Sequence, residues 1–476
     1  MKEKKQARKV TFAEAIILLL VFVGVMIYGA LKGGFPTAMS VLYCGVIAAV
    51  YGGVVLHWSW DEMFKSALEV VQNAMPAMYF LMLTGFVSAA WLASGTIPYM
   101  IDLGLKILSP KIYLFAAFII CWVASMATGS SWAIVSSVGL ALSAIATGLG
   151  VPLPVAVGAI VSGCFLGDKW SPLSDTPNLA AAVNGQNIMK LFTNMLSTSG
   201  LGAIIGGALF LVHGFFLDID ANVSLDSVTE LMNVLESNFN FNILLLIPLA
   251  FVIIMCILKF PPLPVVVGGV ALGIVEAMLL QGVTFSEITN IVWSGYKAAT
   301  GNETVDALLT RGGCTSLSGL LLLLFMAFIF AGVLNRIGVL DAIGEKLTSV
   351  IKGTGSLVLC SLLTSALGVF LSASVYVSII LNTQMYDKAY RKEGLDRVNL
   401  ARTTLEASAY WGGMVAYSGG AVLVISSTGV APWSYIPFVY ACWAAMILTI
   451  IYGFTGKCMP KAKYDEDLNL IEDAAE

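Results

Sequence analysis

Residues 167–178 read Gly-Asp-Lys-Trp-Ser-Pro-Leu-Ser-Asp-Thr-Pro-Asn, a polar stretch between long apolar runs. It contains two acids, a lysine, two prolines and several hydroxyl or amide side chains. Outside a membrane, such a segment is an ordinary solvated loop. At membrane depth, irregular polar backbone persists only where protein or a water-filled cavity satisfies its hydrogen bonds. The rest of the sequence decides whether this stretch is a loop or a site.

The composition is that of a membrane protein. The 476 residues are 58% hydrophobic and 11% charged, whereas soluble domains are roughly 45–50% apolar and about 25% charged. Apolar runs of about 20 residues, the length that crosses a bilayer as a helix, recur almost end to end. The eight cysteines are scattered, which predicts neither a disulfide framework nor a zinc site. We expect no cofactor, and we interpret the first apolar run as a retained helix rather than a cleaved signal peptide.

Clusters of Gly, Ser and Thr interrupt two pairs of apolar segments, at residues 126–131 and 368–374. These pairs predict two helical hairpins, at residues 111–149 and 355–386. We expect both hairpins to be re-entrant, because glycine opens a turn and hydroxyl groups can satisfy freed backbone at membrane depth.

The sequence also resembles itself weakly. Trp58–Met63 has a counterpart in Val283–Ile288, and Leu92–Gly104 has one in Leu334–Gly344. Together with the order of the apolar runs, these similarities predict two structural repeats with broken helices at the midplane, the architecture of many secondary transporters. A helical bundle with a few tolerated kinks is the alternative.

The predicted fold class is an all-α polytopic membrane protein with about ten transmembrane helices and two re-entrant hairpins. Its predicted units are a first repeat at 1–217 (hairpin 111–149, broken helix 152–182), an extracellular acidic linker at 218–240, a second repeat at 241–457 (hairpin 355–386, broken helix 404–428) and a cytoplasmic tail at 458–476. Basic residues near the N-terminus and at 388–402 predict cytoplasmic positions, whereas the linker contains acids and no Lys or Arg. The repeats are therefore expected to be inverted, with both termini cytoplasmic. If both hairpins crossed the membrane fully, each half would still have an odd number of crossings, so the charge distribution alone does not establish re-entrance. The expectation of re-entrance rests on the Gly, Ser and Thr residues at the turns.

Asp168 and Asp175 are the first candidate site residues. An acid inside a membrane costs several kcal/mol unless it is paired, protonated or bound to a cation. Lys169 is the obvious partner of Asp168, so an Asp168–Lys169 pair that merely holds the segment is the structural alternative. Asp175 lies among hydroxyl and amide groups, which favour a hard cation or a proton.

The motif GDKxSPLSDTxN, with Thr128-Gly129-Ser130-Ser131-Trp132 before it and Leu179 to Gly185 after it, closely resembles the NhaC family of sodium/proton antiporters. The resemblance extends loosely over nearly the whole chain. It implies membership of the larger ion transporter superfamily, with inverted repeats, re-entrant hairpins and often elevator-type motion. The family also includes a malate/lactate antiporter that exchanges sodium and protons. The resemblance implies a cation site, with sodium in the region of Asp175 and Asn178, formed by Asp168, Ser174, Asp175, Thr176, Asn178, Thr128 and Ser131.

The second half departs from the family pattern. Where the family has an Asp-Gln pair, this chain has Ser374-Val375, and the family's Glu-Asp-Ser-Gly becomes Glu406-Ala407-Ser408-Ala409. The exchange of polar groups for small residues predicts space for a solute near the paired glycines at 412–413 and 419–420. The candidate substrate-binding residues are Ser130, Ser372, Ser374, Glu406, Ser408, Trp411 and Tyr417. Glu406 has a second interpretation, an ion pair with Arg402 four residues earlier at a cytoplasmic helix end.

Two functions remain open from the sequence. The first is a secondary active transporter in the cell (plasma) membrane that exchanges Na⁺ and H⁺ by alternating access. The second is a sodium-coupled carrier of a small organic solute, an amino acid or a small carboxylate, on the same scaffold. Glu276, within an apolar span, is a further candidate proton site.

An enzyme is not expected. Met385–Asp387 and Leu166–Asp168 resemble fragments of the intramembrane aspartyl protease motif, but Phe165 stands where that motif needs Gly and the order is reversed. The expected partners are the lipid bilayer and a small ion or small-molecule substrate, with no nucleic acid and with a homodimer left open.

Overall fold

The computed structural model describes residues 7–29, 36–171, 174–217, 225–258, 260–310, 312–349, 351–465, 468 and 470–472. The chain is mostly helical. The first helices are α1 (Phe12–Tyr28), α2 (Thr37–Val54), α3 (Trp60–Ala93), α4 (Thr96–Ile107), α5 (Pro110–Thr128), α6 (Ser131–Ile134), α7 (Leu140–Gly148), α8 (Leu153–Lys169), α9 (Asp175–Val183), α10 (Ile188–Met195), α11 (Leu201–Phe215) and α12 (Leu225–Asn238).

The later helices are α13 (Ile247–Ile257), α14 (Pro262–Leu280), α15 (Phe285–Ser294), α16 (Glu303–Leu309), α17 (Ser318–Ile337), α18 (Val339–Ser349), α19 (Thr354–Ser372), α20 (Val375–Lys392), α21 (Arg397–Trp411), α22 (Gly419–Thr428), α23 (Pro432–Tyr435) and α24 (Tyr440–Thr455). Two π-helical segments, at Val135–Gly139 and Leu196–Gly200, continue into α7 and α11. Short 3-10 segments lie at Ile243–Leu246, Thr315–Leu317 and Ile436–Phe438. The tail contains an antiparallel pair of strands, β1 (Lys463–Tyr464) and β2 (Leu470–Glu472).

Within the described ranges, 6 helical stretches are long and apolar enough to cross a membrane, or up to 8 if each bent pair is counted as one span. The chain is therefore a polytopic membrane protein. Both arms of the first hairpin, Pro110–Ala127 and Ser131–Gly148, are among these stretches. Arm length is thus compatible with two crossings as well as with a re-entrant hairpin.

The two hairpin turns have the same backbone geometry. Between α5 and α6, Gly129 has a left-handed φ of 69°, and Ser130 caps the next helix by accepting from the Ala133 N–H. Between α19 and α20, Ala373 has a left-handed φ of 53°, and Ser374 caps the next helix in the same manner. The serine caps satisfy N–H groups that a helix start would leave unpaired.

The two interrupted helices also match. One breaks between α8 and α9, and the other breaks between α21 and α22. An extended serine, Ser174 or Ser418, precedes the second arm of each. The first break separates Asp168 at the end of α8 from Asp175 at the start of α9, so the two acids do not share one helical face.

Further correspondences lie where the sequence resembles itself. Ser59 and Glu62 form a reciprocal capping box at the start of α3, and Thr284 and Glu287 form one at the start of α15. The copies then diverge, because α3 continues unbroken for 34 residues whereas α15 ends at Ser294. The charged start of α3 is therefore continuous with the apolar segment after it, since surface charge alone does not end a helix.

Several helix ends gather on one face, which we call the N-terminal face. There the backbone N–H of Arg8 donates to the Leu56 carbonyl at 3.0 Å, and that of Val10 donates to the Ile337 carbonyl at 3.1 Å. The start of α1 and the ends of α2 and α17 consequently lie side by side.

Other helix ends gather on a second face, which we call the linker face. The Gln281 amide donates to the Ser94 carbonyl at 3.0 Å and accepts from the Asn240 N–H at 3.1 Å. The ends of α3 and α14 therefore meet the residues that follow α12.

Helix α8 packs directly against the first hairpin arm, α5. A Cβ added at Gly163 would overlap the Phe118 carbonyl oxygen, and one at Gly167 would overlap the Trp122 carbonyl oxygen. Small residues four apart allow two membrane helices to approach this closely. The approach fixes the polar end of α8 beside the hairpin turn.

We predict that Gly167→Ala lowers the free energy of unfolding by about 1–3 kcal/mol, because overpacking forces α8 away from α5. Thermal unfolding of the purified protein in detergent measures the effect. Gly24→Ala in α1 is the matched control, since no described heavy atom lies within 4 Å of its added Cβ. Equal melting temperatures for the two variants would contradict the close approach.

Candidate functional site

Asp168 is the acid at the meeting point of the first hairpin and the first helix break. Its side chain is buried, and the Ser131 hydroxyl donates to its Oδ2 atom at 3.4 Å. The hydroxyl of Ser174 interacts with the same carboxyl group from the far side of the break. Carboxylate and hydroxyl oxygens are the donors that hard cations prefer. The arrangement therefore suits a bare cation or a proton.

Asp175 is exposed, unlike Asp168. The Tyr376 hydroxyl of the second hairpin donates to its Oδ2 atom at 2.6 Å. Asn178 donates to the Ser174 carbonyl at 2.6 Å, and the hydroxyls of Ser174 and Thr176 lie 3.3 Å apart. The predicted cation-binding residues after the break thus lie along one turn of chain, with Asp175 directed towards α20.

The structure does not show the Asp168–Lys169 pair that the sequence left open as the structural alternative. Lys169 forms its ion pair with Glu406 on α21 rather than with Asp168. Both side chains of the pair are 0% exposed, and the Lys169 ammonium lies 3.7 Å from the centroid of the Tyr410 ring. A buried charge is tolerated only when it is paired and hydrogen-bonded. The pairing leaves Asp168 without its expected lysine partner and joins the two halves of the chain.

The Glu406 carboxylate is also held by two hydroxyl groups. Thr198 and Ser199 donate to its Oε1 atom at 2.7 Å and 2.5 Å. Both belong to the π-helical segment Leu196–Gly200, and single π-turns inside helices frequently mark functional sites. The carboxylate on α21 in the second half is therefore held by donors from two elements of the first half.

An ion pair between Glu406 and Arg402, the alternative from sequence, is not what the structure shows. Arg402 is buried and donates to the Cys458 carbonyl at 2.8 Å and the Ser197 hydroxyl at 3.3 Å. Glu406 lies one turn further along α21, in the interior. Arg402 therefore anchors the tail to α21, and Glu406 is part of the buried centre.

The remaining predicted substrate-binding residues have structural contacts. Ser372 and Ser408 donate to backbone carbonyls one helical turn earlier, at 2.6 Å and 2.7 Å. The Tyr417 hydroxyl donates to the Phe370 carbonyl at 2.5 Å, and Trp411 packs edge-on against Trp443. Ser130 and Ser374 are the hairpin caps described above. The side chain of Thr128 lies outside the described part of the structure.

The expected solute space near the paired glycines is filled. A Cβ added at Gly412 would overlap a methyl group of Val375, and one at Gly413 would lie 2.8 Å from the Phe165 ring. A Cβ added at Gly420 would overlap the Gly412 carbonyl in turn. The glycines therefore allow close packing of the broken helix against α8 and α20.

Two further groups lie outside the predicted site. Asn382 on α20, which the sequence did not indicate, donates to the Thr404 hydroxyl of α21 at 2.7 Å, while no described group donates to its own buried carbonyl oxygen. The sequence signal that could have indicated Asn382 is the presence of an asparagine within the apolar run of a hairpin. Glu276, the further candidate proton site, accepts from Thr96 at 3.3 Å near the linker face, away from this centre.

These features define a polytopic membrane protein with a charged interior, in which an acid faces a helix break and a hairpin turn. The model of the Na⁺/H⁺ antiporter family matches residues 163–457. The match covers the break, the second hairpin and the second broken helix.

Three relatives extend the similarity over nearly the full length. The malate-2H⁺/Na⁺-lactate antiporter of Bacillus subtilis is 33% identical over 453 residues, which is 95% of this chain and 96% of the relative. The Na⁺/H⁺ antiporter NhaC of Alkalihalophilus pseudofirmus is 30% identical over 94% of this chain and 96% of the relative. The arginine/ornithine antiporter ArcD of Halobacterium salinarum is 29% identical over 94% and 93%. The chain belongs to the Na⁺/H⁺ antiporter family, which confirms the resemblance carried by the motifs.

We predict that Lys169→Met and Glu406→Gln each lower the free energy of unfolding by about 3–5 kcal/mol, because each leaves a buried charge unpaired. The double variant is expected to lose less than the sum, since it leaves no unpaired charge and Gln retains an acceptor for the two hydroxyls. Thermal unfolding in detergent gives the double-mutant cycle.

Glu62→Gln is the matched control for this cycle. Its partner is Arg336, and the two side chains are 44% and 37% exposed, so the loss should stay below about 1 kcal/mol. Additive single effects for Lys169 and Glu406 would contradict a direct buried pair.

Proposed function

We propose that the protein exchanges Na⁺ for protons across the cell membrane, with Asp168 as the carboxylate that binds the two ions in turn. The observation that carries this proposal is the location of Asp168, buried between the hairpin serine Ser131 and the helix break. Membership of the Na⁺/H⁺ antiporter family supports the same ions.

The chemistry of exchange follows from competition at one carboxylate. A proton and a Na⁺ ion each neutralise Asp168, and neither binds well once the other is present. In their ionised forms, the carboxylates of Asp168 and Glu406 and the ammonium of Lys169 carry a net charge of −1. A single monovalent cation therefore neutralises the centre, which lowers the cost of moving it through the membrane.

The assignment differs from the expectation that sodium binds in the region of Asp175 and Asn178. Asp175 is exposed and already accepts from Tyr376, so it suits an accessory ligand at the mouth of the site. Asp168 is buried and, with Lys169 engaged by Glu406, has the stronger need for a cation.

Alternating access in this proposal depends on two inverted repeats. The matching hairpin turns at Gly129 and Ala373 support the repeat relation, as do the serines that precede the second arm of each broken helix. In this scheme the repeats meet at the Lys169–Glu406 pair. The broken helices then expose Asp168 to one side of the membrane at a time.

The proposed orientation has both termini in the cytoplasm. Arg8 and Lys9, the described basic residues before α1, lie on the N-terminal face, while α12 of the acidic linker packs at the linker face. A positive cytoplasmic side and an acidic outer side agree with the usual charge distribution of membrane proteins.

A sodium-coupled exchange of a small organic solute is the second candidate. It is supported by two relatives named for malate and lactate or for arginine and ornithine. The filled glycine positions weigh against a preformed solute cavity in this conformation. Sodium/proton exchange without an organic solute is therefore the better-supported function.

We predict that proteoliposomes containing the protein take up radioactive sodium when an outward proton gradient is imposed, with no organic solute present. Asp168→Asn should abolish the uptake, because the amide cannot take up and release a proton. Asp175→Asn should keep the exchange and raise the KM for Na⁺, since it removes only an accessory ligand.

Uptake that required malate, lactate, arginine or ornithine inside the vesicles would establish the second candidate instead. Full activity of Asp168→Asn, in protein that is still folded, would show that the ion-binding carboxylate lies elsewhere. Glu62→Gln, an exposed acid on α3, is the control for reconstitution and should transport like the unmodified protein.

A further inference from the structure

A cleft of about 540 Å³ opens at the linker face. The elements that line it are different from those that form the charged centre. It lies between α4, α12, the segment that follows α12 and the end of α14. Its walls include Tyr99, Asp102, Lys106, Glu236, Phe239 and Phe241. The volume falls in the range of small-molecule sites, which is roughly 300–1,000 Å³.

Asp102, which lines the cleft, is a buried carboxylate with one oxygen that has no donor among the described residues. The Asp102 side chain is 1% exposed, and no described group donates to its Oδ1 atom. Its Oδ2 atom accepts from the Lys106 ammonium at 2.8 Å. A buried carboxylate oxygen without a donor is costly, and a ligand that entered beside Lys106 and donated to this oxygen would relieve that cost.

Lys106 is the resident cation of the cleft. Its ammonium also donates to Glu236 on α12 at 2.7 Å, and the Lys106 and Glu236 side chains are about half exposed, at 46% and 49%. The hydrogen bonds to Asp102 and then Glu236 raise the pKa of Lys106 to about 12. With two carboxylates and one ammonium, the cleft keeps a net negative charge that an incoming cation would neutralise.

Aromatic rings form another part of the wall. The Tyr99 and Phe241 ring centroids lie 5.2 Å apart, and those of Phe239 and Phe241 lie 6.4 Å apart in nearly parallel planes. Aromatic faces attract organic cations and cover their apolar parts. Within the described residues, no group of three or more His, Cys, Asp or Glu gathers as a metal site, so the cleft does not resemble one for a multivalent metal ion.

We infer that this cleft is a binding site for a small organic cation, whose ammonium or guanidinium group donates to Asp102 and Glu236 and whose apolar part packs on the aromatic wall. The ligand and the Lys106 ammonium then share the two carboxylates and compete for them. Helix α4, which carries Asp102 and Lys106, also packs on the first hairpin, because its Gly104 and Leu105 contact Ile145 and Gly148 of α7. The inference is independent of the proposed exchange of Na⁺ and H⁺.

Isothermal titration of the purified full-length protein in amine-free potassium phosphate buffer tests the site. The probe is benzylammonium, and benzyl alcohol is the neutral molecule of the same shape. Saturable binding of benzylammonium but not of benzyl alcohol is expected. Asp102→Asn should weaken the affinity by about tenfold or more, because a charge-assisted hydrogen bond to a buried carboxylate is lost.

Three further variants distinguish amine binding in this cleft from amine binding at another place on the protein. Lys106→Met should strengthen benzylammonium binding, because it removes the competing ammonium and leaves both acids in place. Glu230→Gln, on the same helix as Glu236 but bonded to Asn302 instead, should change nothing. Asp168→Asn should also leave the affinity unchanged, since the transport site is not involved.

The inference would be overturned by an absence of saturable binding, by equal affinity for benzyl alcohol or by weaker binding in Lys106→Met. It would also be overturned if Asp168→Asn abolished binding, because the amine would then occupy the transport site. If Asp102→Asn does not fold, the direction of the Lys106→Met effect decides the question on its own.

Discussion

The buried ion pair between Lys169 and Glu406 is the interaction on which the rest of the structure depends. Neither side chain is exposed, and the partners lie on α8 and α21. Because an unpaired charge inside a membrane protein is costly, the pair fixes these two broken helices to each other. It also removes Lys169 from Asp168. In the proposed exchange, this pairing leaves Asp168, beside the hairpin turn, to bind a mobile cation.

The two hairpin turns share their backbone geometry but not their chemistry. Both hairpins turn through a left-handed residue followed by a capping serine, at Gly129-Ser130 and Ala373-Ser374. Of the two turns, the first is the one that faces Asp168. In the second half the glycines near residue 412 allow helices to pack closely. This asymmetry supports the proposal that the ion binds in the first half.

The sequence predicted the features that depend on local chemistry. The Gly and Ser cluster at 126–131 indicated a turn, the prolines after Asp168 indicated a break, and the capping-box residues near Ser59 and Thr284 indicated related helix starts. The sequence did not predict the long-range pair, because Glu406 lies 237 residues from Lys169. Nearer residues of suitable charge were available, Asp168 for Lys169 and Arg402 for Glu406. Glycine likewise indicates either space or close packing, and only the positions of Phe165 and Val375 decide which.

Proton release on sodium binding tests the central claim most directly. Na⁺ is added to the purified protein in a weakly buffered solution near neutral pH, and a pH indicator records the protons that leave. We predict release that saturates with Na⁺, approaching about one proton for each Na⁺ bound as the pH is lowered until the carboxyl is protonated, and none from Asp168→Asn. Sodium binding without proton release at any pH, or undiminished release from Asp168→Asn, would contradict a shared site at Asp168.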